Sequence, residues 1–303
     1  MKALEVNELT KSFRSNFLFR NIDVLRSVNI NVEEGSIYGF LGPNGAGKTT
    51  TIKCILGLIF PDSGSINVFG KPVESFSYRN KIGFLPESPY YYDYLTARET
   101  LRFSGRLFSI PGKEVEKRSD EILKLVGLNG KENIKLKKFS KGMLQRIGLA
   151  QALINDPHLV ILDEPFTGLD PMGRKELRDI IIALKAEGRT VFFSSHILQD
   201  MEMIVDDVGI IVKGRISKEG KLRELVGETV KYHEITVLGL EEHILKEKGY
   251  DYTGIGKKIM IKLEDRANLN DAFKFIEKSG GECISVSRIS RTLEDIFIQE
   301  IEK

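Results

Sequence analysis

Gly42-Pro43-Asn44-Gly45-Ala46-Gly47-Lys48-Thr49 decides how this chain is read, because it fits the pattern G-x-x-x-x-G-K-[ST]. Its surroundings are those the chemistry of that pattern needs. The apolar run Ile37–Leu41 before it reads as a buried strand, and residues 49–58 after it read as a helix. Glycines let successive backbone N–H groups turn inward around phosphate oxygens, and the helix N-terminus adds positive potential. Lys48 is then placed to reach the outer phosphates, and the Thr49 hydroxyl to take Mg²⁺. The candidate contacts are Gly42, Asn44, Gly45, Ala46, Gly47, Lys48, Thr49 and Thr50. A glycine turn that only caps a helix is the competing reading, disfavoured by the strand before it and the helix after it.

Farther along, Leu159-Val160-Ile161-Leu162-Asp163-Glu164 is a four-residue apolar strand that ends in two carboxylates. Such a strand delivers Asp163 to the carboxyl edge of a sheet, where it can hold a phosphate-bound Mg²⁺, and leaves Glu164 beside it to orient and deprotonate water. A strand that simply ends in solvated acids is the alternative, weakened by the phosphate loop in the same chain.

Around these motifs, short β-branched runs alternate with helical periods from Leu4 to about Gly220, the pattern of parallel strands joined by helices. Strands are expected at 28–32, Ile37–Leu41, 81–85, Leu159–Leu162, 190–193 and 208–212. No strand is evident between residues 96 and 155, where Leu101, Leu107, Val115, Ile122, Leu123 and Val126 fall at helical spacing, so an inserted helical lobe is expected there. Residues 221–303 change texture. Strands at 235–238, Lys258–Leu263 and 284–286 with helices at 241–248 and Leu269–Lys278 make a small α+β module. A closing helix is expected to set Leu293, Ile296, Phe297 and Ile301 on one face. The fold class expected is α/β with a mainly parallel sheet over residues 1–220, the helical lobe inserted at about 96–155, and an accessory domain at 221–303.

Composition narrows the partners. Lys and Arg number 45 against 43 Asp and Glu, a net charge of +2 over 303 residues, which disfavours a protein held on nucleic acid or anionic lipid by bulk charge. With 41% hydrophobic residues the chain is too apolar for disorder. Cys54 and Cys283 alone make neither a zinc ribbon nor a disulfide scaffold. Charges every few residues near Met1 leave no apolar signal segment, so an intracellular chain is expected. The longest apolar run, residues 54–60, is far short of the roughly 20 residues that cross a bilayer.

Three further motifs follow in a fixed order. Phe139-Ser140-Lys141-Gly142-Met143 opens an amphipathic helix, Thr167-Gly168-Leu169-Asp170 follows the acidic pair, and Ser194-Ser195-His196 follows the next strand. With these, residues 1–220 resemble the ATP-binding-cassette superfamily, in particular the nucleotide-binding subunits of transporters. The tail, with Arg291-Thr292-Leu293-Glu294-Asp295-Ile296-Phe297, is similar to the accessory domain of exporter-type cassettes. The resemblance implies that Ser140 and Gly142 cap the γ-phosphate of an ATP held by a second cassette, that His196 contacts that phosphate and helps to place Glu164, and that Asp170 lies at the contact between cassettes. Simple helix N-capping remains open for Ser140 and for Asp170 before Pro171.

The chain departs from the family where Glu87 stands for the usual Gln as a Mg²⁺ ligand, and where Lys141 and Met143 replace Gly and Gln. Phe13 aligns with the aromatic that stacks on adenine, with Phe17 and Phe19 as competitors. Tyr90, Tyr91, Tyr92 and Tyr94 cluster where family cassettes grip their membrane subunits, and packing inside the helical lobe is the alternative. The resemblance implies an ATPase subunit of an exporter, with ATP and Mg²⁺ as ligands. Its expected partners are an integral membrane permease subunit and a second cassette in a homodimer, at the inner face of the cell membrane, with no nucleic acid. The rival readings are a soluble cassette ATPase acting on nucleic acid or the ribosome, and a nucleotide-gated module with little turnover.

Overall fold

Ile37–Leu41, the run before the glycine loop, is buried at every residue and sits inside a six-stranded sheet. The computed structural model describes residues 1–14, 21–75, 78–227, 230–264 and 268–302. Along the chain lie β1 (Lys2–Arg14), β2 (Asn21–Glu33), β3 (Ile37–Leu41), α1 (Lys48–Ile55), β4 (Ser63–Val68), β5 (Lys71–Pro72) and β6 (Ile82–Leu85). Next come α2 (Ala97–Leu107), α3 (Gly112–Leu125), α4 (Lys141–Leu153), β7 (Leu159–Leu162), α5 (Pro171–Ala186) and β8 (Thr190–Ser195). This part of the chain closes with α6 (Leu198–Glu202), β9 (Asp207–Val212) and β10 (Arg215–Lys221). Beyond it lie α7 (Leu222–Val226), β11 (Val230–Leu238), α8 (Glu242–Lys248), β12 (Asp251–Ile255), β13 (Lys258–Leu263), α9 (Leu269–Lys278), β14 (Glu282–Ser290) and α10 (Leu293–Glu302). The chain divides into two units, Met1–Leu222 with Glu300–Lys303, and Arg223–Gln299.

In the first unit the large sheet runs β10-β9-β3-β8-β7-β6, parallel from β9 to β6 with β10 antiparallel at the edge. Strands covered on both faces need apolar residues throughout, which is why β3, β7 and β8 are buried along their whole lengths. Their register matters most for function. Leu41 pairs with Ser195, Leu162 with Phe193, and Leu85 with Leu162, so the loops after β3, β7, β8 and β6 leave from one edge.

A second, antiparallel sheet of order β2-β1-β4-β5 was not expected beside the mainly parallel one. Its core side, with Leu4, Val6, Leu9, Val28, Ile30 and Ile66, packs into the same cluster as Tyr38, Phe40 and Ile161. Period-two reading fails there because the β1–β2 ladder shifts register between Val6 and Leu9, and Glu8 and Ser27 take positive φ of 48° and 56°. β10 carries few apolar residues and so no strand signal in sequence. It returns from β9 through Lys213-Gly214, both at positive φ, the two-residue turn whose twist matches a hairpin.

The second unit is an antiparallel sheet of order β12-β13-β11-β14, with Ile235, Val237, Ile259 and Ile261 packed against Leu245, Ala272 and Ile276 of α8 and α9. On α10, Leu293 and Ile296 are buried and Phe297 partly so, but Ile301 is exposed and Glu300 is buried in its place. A helix repeats every 3.6 residues, so the face of 293 and 296 continues to 300 and has turned away by 301.

Candidate functional site

α1 begins at Lys48 directly after Gly47, and no side chain caps its first turn, so the amides there are left for an anion. Gly47 adopts φ +114°, and a Cβ on it would stand 2.7 Å from Leu25 Cδ2, so glycine is required both by the backbone and by space. Lys48 is buried and donates from Nζ to the Gly42 carbonyl at 2.7 Å. Thr49 and Thr50 on the same turn are half-buried, while Asn44 and Gly45 at the crown of the loop are exposed and Ala46 is buried.

The parallel register brings the acidic pair to this loop. Lys48 Nζ lies 3.1 Å from Glu164 Oε1, with both side chains buried. The contact is an ion pair whose angle is not that of a hydrogen bond, for Oε1 has no hydrogen-bond partner. His196 bonds from Nδ1 to Glu164 Oε2 at 2.7 Å, and the carboxylate accepts, so Nδ1 carries the proton. The imidazole itself is partly open, 43% exposed at its side chain. Thr167 Oγ1 approaches the same Oε2 at 3.5 Å.

Glu164 also holds φ +50°, a left-handed backbone that costs a non-glycine residue on the order of 1–3 kcal/mol where the surroundings enforce it. Ser194 on β8 supplies part of that enforcement. Its Oγ accepts from the Glu164 N–H at 2.9 Å and donates to Asp163 Oδ1 at 2.6 Å, and Ser194 is wholly buried. Gln145 of α4 donates to the Pro165 carbonyl at 2.9 Å, bracing the turn just beyond. Sequence alone gives neither Ser194 nor Gln145 a role of its own. Ser194 lies inside the quoted Ser194-Ser195-His196 motif, and only its place beside β7 reveals what it holds.

Ser140, Gly142 and Asp170 gather elsewhere. They line a recess of about 380 Å³ with Lys141, Gly168 and Leu169, and none of the phosphate-loop residues borders it. Ser140 caps α4 by accepting from Met143 N at 3.3 Å, and Asp170 caps α5 by accepting from Gly173 N at 2.8 Å. Lys141 lies across Gly168, where a Cβ would meet its Nζ at 1.8 Å.

Glu87 is exposed two residues beyond β6, at the edge from which the loops leave. Phe13 stands on β1, 39% exposed, with Lys11 Nζ 5.6 Å from its ring centre. Phe17 and Phe19 lie outside the described residues. The tyrosines divide. Tyr91 turns inward and donates to the Leu144 carbonyl at 2.8 Å, and burial raises its phenol well above the usual range. Tyr90, Tyr92 and Tyr94 are exposed and in ring contact in series, with Phe103 of α2 against Tyr92. Beside them runs a groove of about 490 Å³, lined by Leu56, Tyr78, Pro89, Tyr90, Leu107 and Phe108 among others.

The sequence model of the ABC transporter family matches residues 25–167. An uncharacterized ABC transporter ATP-binding protein of Nostoc sp. is 39% identical over 98% of this chain and 89% of its own length. The bacitracin transport ATP-binding protein BcrA of Bacillus licheniformis is also 39% identical, over 98% of this chain and 97% of its own. Among solved structures, the dimeric post-hydrolysis state of the ATP-binding cassette MJ0796 bound to ADP and Pi is similar with a TM-score of 0.66 and 27% identity, covering 73% of this chain and 99% of that one.

Proposed function

Because this chain belongs to the ABC transporter family, as an ATP-binding subunit that hydrolyses ATP, we propose that it works as a pair of identical chains with ATP held between them, driving export through a separate membrane permease. The observation that carries this reading is the convergence of Lys48, Glu164 and His196 at one sheet edge, while the Ser140 recess lies apart. One chain therefore holds one phosphate loop and one capping surface that do not meet within it, and two chains complete two sites.

In the proposed site, phosphate oxygens compete with Glu164 for Lys48, which leaves Oε1 free to take a proton from the attacking water. His196 keeps its Nδ1–H on Glu164 and turns Nε2 toward the γ-phosphate. Ser140 Oγ and the amides around Gly142 approach the phosphate of the other chain, as donors suited to an anion. Oxygen donors of the kind Mg²⁺ takes lie at the ends of β6 and β7 and on the first turn of α1. Thr49, Asp163 and Glu87 would hold it, and it would supply charge neutralisation on the phosphates. Asp170 is proposed at the contact between chains, and Phe13 against the adenine.

The exposed Tyr90, Tyr92 and Tyr94 beside the apolar groove suit an interface, and we assign them to the permease. No helix among the described residues is long and apolar enough to cross a membrane, and we propose attachment at the inner membrane face through that permease. The similarity to BcrA supports bacitracin or a compound of its class as cargo. Residues 221–303 are proposed as an accessory domain that tunes pairing or turnover.

The test mixes two inactive proteins. Lys48→Ala chains lack a working phosphate loop and Ser140→Arg chains lack a working cap, so a mixed pair keeps one intact composite site. Hydrolysis should reappear on mixing. Failure to restore any, with both proteins folded and able to pair, sinks the two-chain arrangement.

A further inference from the structure

Asp200 on α6 lies four residues beyond His196, and its carboxylate is 5% exposed although it takes no part in the chemistry assigned above. Burial of an unpaired carboxylate is unfavourable, and two arginines of α5 meet it. Arg178 binds Oδ1, and Arg174 Nη1 stands 3.5 Å from Oδ2. The two arginines are not equivalent. Arg174 also donates from Nε to the Leu169 carbonyl at 3.2 Å, inside the Thr167–Asp170 segment that borders the Ser140 recess. A single guanidinium thus spans from that segment to α6, whose first residue lies two beyond His196, and His196 in turn bonds Glu164. Arg178 takes Oδ1, whereas the buried Oδ2 has no hydrogen-bond partner and faces Arg174 as an ion pair, and of the two arginines Arg174 is the one that also bonds the Leu169 carbonyl.

We propose that Arg174 is a positioning residue that ties the Thr167–Asp170 segment to the His196 turn, so that contact of this segment with a second chain fixes His196 against Glu164 within the first. The inference rests on the two-chain reading above. The guanidinium can donate from Nε to the Leu169 carbonyl while Nη1 faces the Asp200 carboxylate as a charge, two tasks that the single ammonium of lysine does not divide in this way.

The experiment uses the full chain, reading kcat and KM for Mg-ATP, thermal melting, and ATP-driven pairing in a Glu164→Gln background by gel filtration. Arg174→Ala should lower kcat about tenfold with KM little changed, since a misplaced His196 impairs the reacting geometry rather than binding. Arg178→Ala should lower the melting temperature and leave kcat within about twofold, because it touches Asp200 but not Leu169. Should Arg174→Ala fail to fold, Arg174→Lys carries the test, for it keeps a charge near Asp200 and loses the Leu169 bond. Adding Asp200→Asn to Arg174→Ala should cause no further loss, as expected for groups that act as a unit. An unchanged kcat in the Arg174 variants, equal losses from Arg174 and Arg178, or losses that multiply in the double variant overturns the inference. If Glu164→Gln chains with Arg174 intact do not pair on ATP, the two-chain reading itself fails. If they pair while the Arg174 variants turn over normally, only this inference fails.

Discussion

Lys48 Nζ and Glu164 Oε1 stand 3.1 Å apart with both side chains buried, so the cation at the start of α1 and the acid just beyond β7 neutralise each other across the sheet edge. In the proposed site this pair would link ATP binding to hydrolysis, since whatever draws Lys48 away changes what surrounds Glu164. Glu164→Gln keeps the shape and removes the proton acceptor. Turnover should fall by about 10²- to 10⁴-fold while ATP binding persists. Lys48→Ala should weaken ATP binding itself. Turnover of Glu164→Gln within about threefold of the parent would place the base elsewhere.

Ser194 stands outside the proposed chemistry, yet both of its bonds end on the acidic pair. Ser194→Ala leaves the Glu164 N–H without its partner, which should destabilise the fold by about 1–3 kcal/mol in urea unfolding. Turnover should fall with it, and Ser194→Thr, which keeps the hydroxyl, should restore most of both. A silent Ser194→Ala would show that the strained Glu164 backbone is held by its other neighbours.

Ser140 caps α4, and capping and phosphate contact make different demands on the side chain. Ser140→Asn retains a good N-cap, so stability should stay within about 0.5 kcal/mol, whereas Ser140→Ala should cost about 1 kcal/mol. Both should reduce turnover, by about 10²-fold if the hydroxyl is a phosphate donor. Full activity in Ser140→Asn would reduce Ser140 to a cap.

The two cysteines should separate cleanly. Cys54 is buried on α1, and desolvation pushes its thiol from 9.0 up to about 11, while Cys283 on β14 is exposed. An alkylating reagent at pH 8 should therefore label Cys283 alone in the folded protein and both after unfolding. The thiol also makes stability pH-dependent. Above pH 9 the unfolded chain loses this proton before the folded one does, so stability should decline from pH 9 to about 11, with Cys54→Ala showing a shallower decline in urea melts. Tyr38 and Tyr91, both raised by burial, act in the same direction.

Much of the site is local in sequence. The phosphate loop joins a strand to a helix within a dozen residues, and its glycines, Lys48 and Thr49 follow one another because a single turn must present them together. β3 and β7 appear with the bounds their apolar patterns require, because a strand covered on both faces admits no polar interruption. The antiparallel sheet was hidden for the opposite reason. Its strands are half exposed, and the bulges at Glu8 and Ser27 break the alternation that reveals such strands.

By itself the sequence determined the residue types that chemistry on a phosphate demands, and their order along the chain. Only the tertiary structure decided which of them meet. Strand register places Lys48, Glu164 and His196 within bonding reach over separations of 116 and 32 residues in sequence, and sets Ser194 beneath the acidic pair. It also keeps Ser140 and Asp170 in a separate recess and buries Asp200 between two arginines. The physical reason is that local propensity acts over a few residues, whereas the neighbours of a sheet edge are chosen by which strands lie side by side, a choice made by burial of the whole core.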